Sequence, residues 1–215
     1  PITTSNIIEH VEIGLYDGIF FHRVVDDFVI QSGDPECKTE GVYPITSPQC
    51  SSGGTGETIP LEHDENLSHV DGAMGMARGA EQDSGDSQWY ITDTEQHGLD
   101  PENRDDGGYA VFGIVRDGMT FVREIANTPT ATNPLSDQGV QNPGPDLLGR
   151  PIREVHIDSM RMIGVSDPYG NINSGDSESQ SYNTISDFDT RVFISLTFIS
   201  AILIFGLLIY ITQID

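Results

Sequence analysis

The run Phe21-His22-Arg23-Val24-Val25 sets two ionisable side chains into an apolar, β-branched stretch, and Phe28, Val29 and Gln31 follow at short offsets. Side chains alternate faces along a strand. Arg23 therefore shares a face with Val25 and opposes His22, and a guanidinium beside phenylalanine and valine needs an acceptor on that face. Taken alone, the same residues also fit a surface arginine on an edge strand. Their company bears on the choice: Gly72-Ala73-Met74-Gly75-Met76-Ala77-Arg78, then Ser87-Gln88-Trp89-Tyr90-Ile91-Thr92, Gly98-Leu99-Asp100 and Gly107-Gly108-Tyr109-Ala110-Val111-Phe112-Gly113.

Other constellations carry less. Gly85-Asp86-Ser87 and Gly175-Asp176-Ser177 share letters with serine-hydrolase signatures, but neither forms a G-x-S-x-G elbow between strand and helix. His63 and His69, six residues apart beside Asp64 and Glu65, share no helix face and lack a third ligand at metal-site spacing, so a solvated loop is expected and no metal. Asn66-Leu67-Ser68 fits a glycosylation acceptor, which matters only in an exported domain.

The elements that must position these residues sit in a chain of 215 residues with 34 Asp or Glu against 10 Lys or Arg, a formal charge of −24. That balance argues against nucleic-acid binding and reads as a self-repelling, solvated surface. With 36% hydrophobic residues and 23 glycines, the length supports one core. Residues 2–15 carry Ile7, Ile8, Val11 and Leu15 at helical spacing, with Gly14 as the stop; residues 119–126 show helical spacing again. Short strands are expected over 20–30, broken by an Asp26-Asp27 turn, and over 73–77, 88–92, 109–115 and 152–163. Many short strands and two helices suggest a closed antiparallel barrel, because closure removes sheet edges.

In the order and spacing of five blocks, YDGIFFHRVVDDFVIQSGDP, GTGETIPLEHDENLSHVDGAMGMAR, SQWYIT, GYAVFG and RPIREVHIDSMRMI, the sequence resembles the cyclophilins, the peptidyl-prolyl cis/trans isomerases. The resemblance covers most of residues 1–163. It implies a mainly β, eight-stranded antiparallel barrel capped by two helices, with a groove for an extended X-Pro peptide, no cofactor, and a monomer. It also implies that Arg23 is the catalytic arginine and that His22 braces the groove beside it. Phe28, Val29, Tyr90 and Leu99 would line a proline pocket, with Tyr109 where the family often has histidine, and Gln31, Ala77 and Arg78 would hold the peptide backbone. A module that binds proline-containing segments without useful catalysis is the alternative. Three departures stand out: Gly98 takes the place of an aromatic residue, the loop 80–86 is acidic, and the family's first strand pair has no counterpart in a chain that opens at Pro1.

Residues 1–164 are thus expected to form the isomerase-like domain, 165–191 a polar linker, and 192–212 a transmembrane helix, since that run holds 21 residues without a charge. Arg191 alone flanks the run on the domain side, so orientation is open between an exported domain and a cytoplasmic tail-anchored one. Cys37 and Cys50 bracket an insertion beside the groove. A disulfide between them would require an oxidising compartment and place the domain outside the cytoplasm; free thiols are the alternative.

Overall fold

The computed structural model describes residues 2–38, 50–130, 149–166, 191–198 and 205–211, the last two segments and residues 165–166 by their backbone. Helix α1 spans Ile2–Glu12 and buries Ile7 and Val11. It ends because Gly14 takes φ +70°, which lets the Gly14 and Leu15 amides reach back to the carbonyls of Val11 (3.1 Å) and His10 (2.9 Å). Strands β1 (Arg23–Val25) and β2 (Val29–Ser32) form a hairpin across the Asp26-Asp27 turn, with Asp27 at φ 55°. Then come β3 (Ala73–Met76), β4 (Trp89–Thr92), two 3-10 turns (His97–Leu99 and Pro101–Asn103), β5 (Val111–Asp117) and α2 (Met119–Ala126). Strands β6 (Ser159–Ser166), β7 (Arg191–Phe198) and β8 (Phe205–Ile211) complete the described order.

The pairing is antiparallel throughout, in the order β1-β2-β4-β3-β5-β8-β7-β6. This corrects the expected closed eight-stranded barrel: the described residues up to 166 supply six strands, and β1 and β6 end the sheet without a ladder between them. The segments preceding them meet through one isolated bridge, Phe20↔His156, flanked by amide bonds from Phe21 to Val155 (3.0 Å) and from Ile157 to Ile19 (2.7 Å). The reason is local. β1 stops after three residues at its turn, and of the stretch 152–163 only 159–163 joins a ladder, whose partner is β7.

The run 192–212, expected as a transmembrane helix, is described in part, over 192–198 and 205–211. Its described backbone is a hairpin registered from Val192↔Ile211 to Phe198↔Phe205, and no described helix is long and apolar enough to cross a membrane. Isoleucine, valine, phenylalanine and tyrosine dominate this run, and these side chains favour strands as readily as an uncharged length favours a helix. Most of the expected linker, residues 167–190, lies outside the described residues, as do 39–49 between the cysteines.

The inner face of the sheet carries Val24, Ile30, Ile91 and Met74, packed with Phe20, Phe21, Trp89, Phe112 and Met160 under both helices. Trp89 sits edge-on to Phe21 (6.0 Å) and Tyr16 (6.1 Å), and the Tyr16 hydroxyl donates to the Ser87 carbonyl at 3.0 Å. Gly33, just past β2, has φ +94°, and a Cβ there would lie 2.5 Å from the Ser87 carbonyl oxygen and 2.9 Å from Gln88 Cα. Left-handed backbone alone costs an ordinary residue roughly 1–2 kcal/mol, and a clash with backbone adds to it. Gly33→Ala is therefore expected to lower Tm by about 5 °C or more in thermal unfolding; an unchanged Tm would contradict this packing.

Candidate active site

Strand register places the candidate site. Arg23 on β1 lies opposite Gln31 on β2, Gln31 opposite Tyr90 on β4, and Tyr90 opposite Gly75 on β3, so one row crosses four strands on the outer face. Gly75 leaves the room that the Tyr90 ring occupies: a Cβ there would fall 2.2 Å from its Cζ and hydroxyl. Beside this row a second apolar cluster, separate from the core, gathers Val29, Tyr90 and Leu99 with Phe28, Ala77 and Tyr109 packed against them. The Arg23 guanidinium stands 5.4 Å over the Phe28 ring. Its Nη1 donates to Gln31 Oε1 at a long 3.5 Å, and among the described residues it has no carboxylate partner. Burial pushes its pKa down from the ordinary value, with some opposition from Tyr109; the guanidinium remains charged.

A polar chain holds the row from behind. Gln31 Nε2 donates to Gln88 Oε1 (2.9 Å), and Gln88 Nε2 donates to the Gly53 carbonyl (2.9 Å). The 51–53 loop is pinned by the buried carboxylate of Asp34, which accepts from the amides of Ser51 (2.7 Å) and Gly53 (2.9 Å). Immediately before this loop, Cys50 is disulfide-bonded to Cys37, and the Arg150 guanidinium donates to the Cys50 carbonyl at 3.1 Å. A cleft of about 560 Å³ opens between this loop, Gln31, Gln88 and the segment Ala77–Gly79.

Arg78 is committed elsewhere. Its Nε donates to the Gly108 carbonyl (2.9 Å), and its two terminal nitrogens donate to those of Gly79 and Asp106 (3.0 Å each). It also lies 4.7 Å over the Tyr109 ring, with Arg104 at 5.2 Å. Its side chain thus shapes the Tyr109 wall, and its donors are spent within the protein. At Gly98 a Cβ would meet nothing within 4 Å, so the wall an aromatic residue would build is open.

His22 is 2% exposed and projects to the core side, opposite Arg23. Burial, with Arg150 and Arg23 nearby, depresses its pKa to about 3 against a hydrogen bond to Gln88, so it is neutral and takes no proton near neutral pH. The expectation of a solvated loop fails at His69, which is fully buried. Its Nδ1 faces Asp100 Oδ1 at 2.5 Å and its Nε2 faces the Tyr90 hydroxyl at 2.7 Å. Burial pushes the Asp100 carboxyl up, but hydrogen bonds from Ser68, His69 and His97 outweigh it and hold the pKa at about 2. Ser68, His97 and Asp100 do meet, yet Ser68 Oγ and Asp100 Oδ2 share the same ring nitrogen of His97, at 2.8 and 3.0 Å. A hydrolase relay needs the two opposite nitrogens.

The model of the family described as cyclophilin type peptidyl-prolyl cis-trans isomerase/CLD matches residues 1–144. The chain belongs to this family. A peptidyl-prolyl cis-trans isomerase of Acinetobacter baylyi is 36% identical over 132 residues, 61% of this chain and 64% of that protein. One of Arabidopsis thaliana is 30% identical over 164 residues, 76% of this chain and 81% of that one. This cyclophilin chain spans less than two thirds of the length of the A. baylyi relative and of a Dickeya dadantii isomerase, of which it covers 62%. A cyclophilin of Cryptosporidium parvum, crystallised in the presence of the dipeptide Ala-Pro, shares the fold with a TM-score of 0.54 at 23% identity, covering 73% of this chain and 82% of that one.

Sequence reasoning missed Gln88, His69 and Asp100 as hydrogen-bond partners behind the candidate site. Gln88 stands in the SQWYIT block and Asp100 beside Leu99, so their blocks were visible while their partners were not. The buried histidines leave a measurable trace. His22 binds no proton in the folded state until about pH 3, whereas the unfolded chain protonates near 6.5, so stability is full above 6.5 and falls as pH drops toward 3. His10 and His69, also lowered by burial, act in the same direction. Urea unfolding between about pH 6 and 4 should lose about 1.4 kcal/mol per pH unit for His22, with a further loss of the same sign from His10 and His69, and His22→Gln should remove the His22 share of that slope. An unaltered slope in the variant would place His22 outside the core.

Proposed function

We propose that this cyclophilin domain catalyses cis/trans isomerisation of X-Pro bonds in polypeptides, with Arg23 as the catalytic group. The observation that carries the reading is a half-buried guanidinium with no carboxylate partner among the described residues, set over Phe28 at the edge of an apolar cluster that fits a pyrrolidine ring. Rotation about the amide faces a barrier of about 18–20 kcal/mol because the C–N bond has partial double-bond character. As the bond twists, the prolyl nitrogen pyramidalises and regains its lone pair. A hydrogen bond from Arg23 to that nitrogen is made in the twisted state more than in either planar isomer, which is what lowers a barrier. Phe28, Val29, Leu99, Tyr90 and Tyr109 hold the ring while the chain turns. No nucleophile is called for, since no covalent bond is broken.

A module that binds proline-containing segments with little turnover is the second reading, favoured by the open wall at Gly98. A protease-coupled assay on a chromogenic X-Pro peptide separates the two. Wild type is expected to accelerate isomerisation, and Arg23→Ala to lower kcat/KM on the order of 100-fold, the scale for removing one transition-state donor, with its circular dichroism unchanged. A variant as fast as wild type would overturn the assignment of Arg23, and an inactive wild type that still binds the peptide would establish the second reading.

The proposal extends to a membrane-held, extracytoplasmic domain that assists folding there. Its support is the 21-residue uncharged run 192–212, together with the Cys37–Cys50 bond, which persists in oxidising compartments. Membranes prepared from expressing cells without reductant should retain the full chain, and mass spectrometry after alkylation should find both cysteines unmodified. Recovery of both as alkylated thiols would favour the cytoplasmic orientation, and recovery in the soluble fraction would remove the membrane attachment.

A further inference from the structure

Tyr90 is the one polar-tipped side chain buried in the apolar cluster, and its hydroxyl faces inward to His69. The ring is fixed on every side: Gly75 lies beneath it, Tyr109 meets it edge-on at 6.1 Å, and the His69 ring lies nearly parallel at 5.8 Å with 14° between planes. His69 is in turn held twice by Asp100 Oδ1, through its backbone amide (2.9 Å) and through Nδ1 (2.5 Å). A carboxylate only accepts, so the imidazole proton sits on Nδ1, and Nε2 is left as an acceptor for the Tyr90 O–H.

We propose that Asp100 and His69 form a positioning relay that locks Tyr90 as the rigid wall of the proline pocket, and that protonation of His69 releases it. This inference rests on the isomerase reading above and names the device that shapes its pocket. A second proton on His69 makes Nε2 a donor, so the Tyr90 oxygen can only accept from it and the hydroxyl's own proton must turn away from its acceptor inside a buried site. A buried donor without a partner is costly to keep, and the ring shifts to relieve it.

The charged and titratable groups around the pair are few. His69 faces Asp100 and His97 from the 3-10 turn segment, His63 from its own loop, and Tyr90 from β4; beyond Tyr90 lie Tyr109, Arg78 and Arg104. Burial lowers the pKa of His69, while Asp100 opposes the shift and His97 and His63 add to it. His69 is therefore neutral at pH 7 and releases Tyr90 only below the ordinary histidine range.

The test uses the full chain and an X-Pro peptide, reading kcat/KM, the peptide Kd by titration, and Tm. His69→Asn keeps a donor for Asp100 and removes the acceptor for Tyr90; His69→Gln sets a carbonyl oxygen near the position of Nε2. The expected result is that His69→Asn lowers kcat/KM and weakens peptide binding by the same factor, about three- to tenfold, that His69→Gln loses less, and that adding Tyr90→Phe to His69→Asn causes no further loss. Wild-type kcat/KM should fall as pH drops below 6.5 while the chain stays folded, and Tyr90→Phe should abolish that limb; a limb that persists would assign it to His97 or another group and overturn the release. Equal losses in the Asn and Gln variants, losses that multiply in the double variant, or a lower Tm with unchanged peptide Kd would each overturn the relay. A wild type that neither turns over nor binds the peptide would overturn the proposed function along with it.

Discussion

The constraint on which the site depends is the register of four short strands. Because side chains alternate, the pairing that sets Val24, Ile30, Ile91 and Met74 into the core also sets Arg23, Gln31, Tyr90 and Gly75 into one outward row. A slip of one residue would exchange Arg23 for Val24 and drive a guanidinium into the core beside Trp89. The cost of burying so many large apolar groups wrongly protects the site geometry, although none of those groups faces the groove. The outer row thus needs little stabilisation of its own. It can carry a guanidinium whose only hydrogen bond among the described residues is a long one to Gln31.

How much of this was legible follows from which interactions are local. Alternation placed Arg23 and Val25 on one face and His22 on the other, and the end of α1 at Gly14 was written in a residue that accepts positive φ. The strands around 73–76, 89–92 and 111–117 lay within a residue or two of their apolar runs. Closure was not legible in the same way. Period tells which face of a strand is buried but not which strand it pairs with, and β6 pairs with β7 where a barrel would have needed β1. In the run 192–212 two rules compete: an uncharged length satisfies the rule for a spanning helix, while its β-branched and aromatic residues also satisfy a hairpin, as its described backbone pairs.

The hydrogen-bond wiring was hidden because its partners are far apart in sequence. His69 sits among Ser68, Asp71 and the acidic 62–65 stretch, which reads as solvated loop, and only the fold brings Asp100 and Tyr90 onto its two ring nitrogens. Arg78 is the converse. Its place after Ala77 suggested a hand for the peptide, whereas its donors close on Gly79, Asp106 and Gly108 and steady Tyr109 instead. The resemblance could say that these residues stand near a groove. Their partners decide which of them remain available to a substrate.

The two sides of the pocket are therefore unequal, and the inequality fits the proposed reaction. On one side Tyr90 is clamped by Gly75, Tyr109 and His69, and Arg23 is held in register with Gln31. On the other, the space at Gly98 is open. Isomerisation asks the protein to hold the ring and to meet the nitrogen as it pyramidalises, while the rest of the peptide must sweep through a half turn. A missing wall removes contacts that planar and twisted peptide would share, so it weakens binding uniformly and leaves the barrier where Arg23 sets it. The rigid side acts on the difference between the two states, which is where rate resides. The departure at Gly98 is thus compatible with turnover, provided the row across β1, β2, β4 and β3 stays in register.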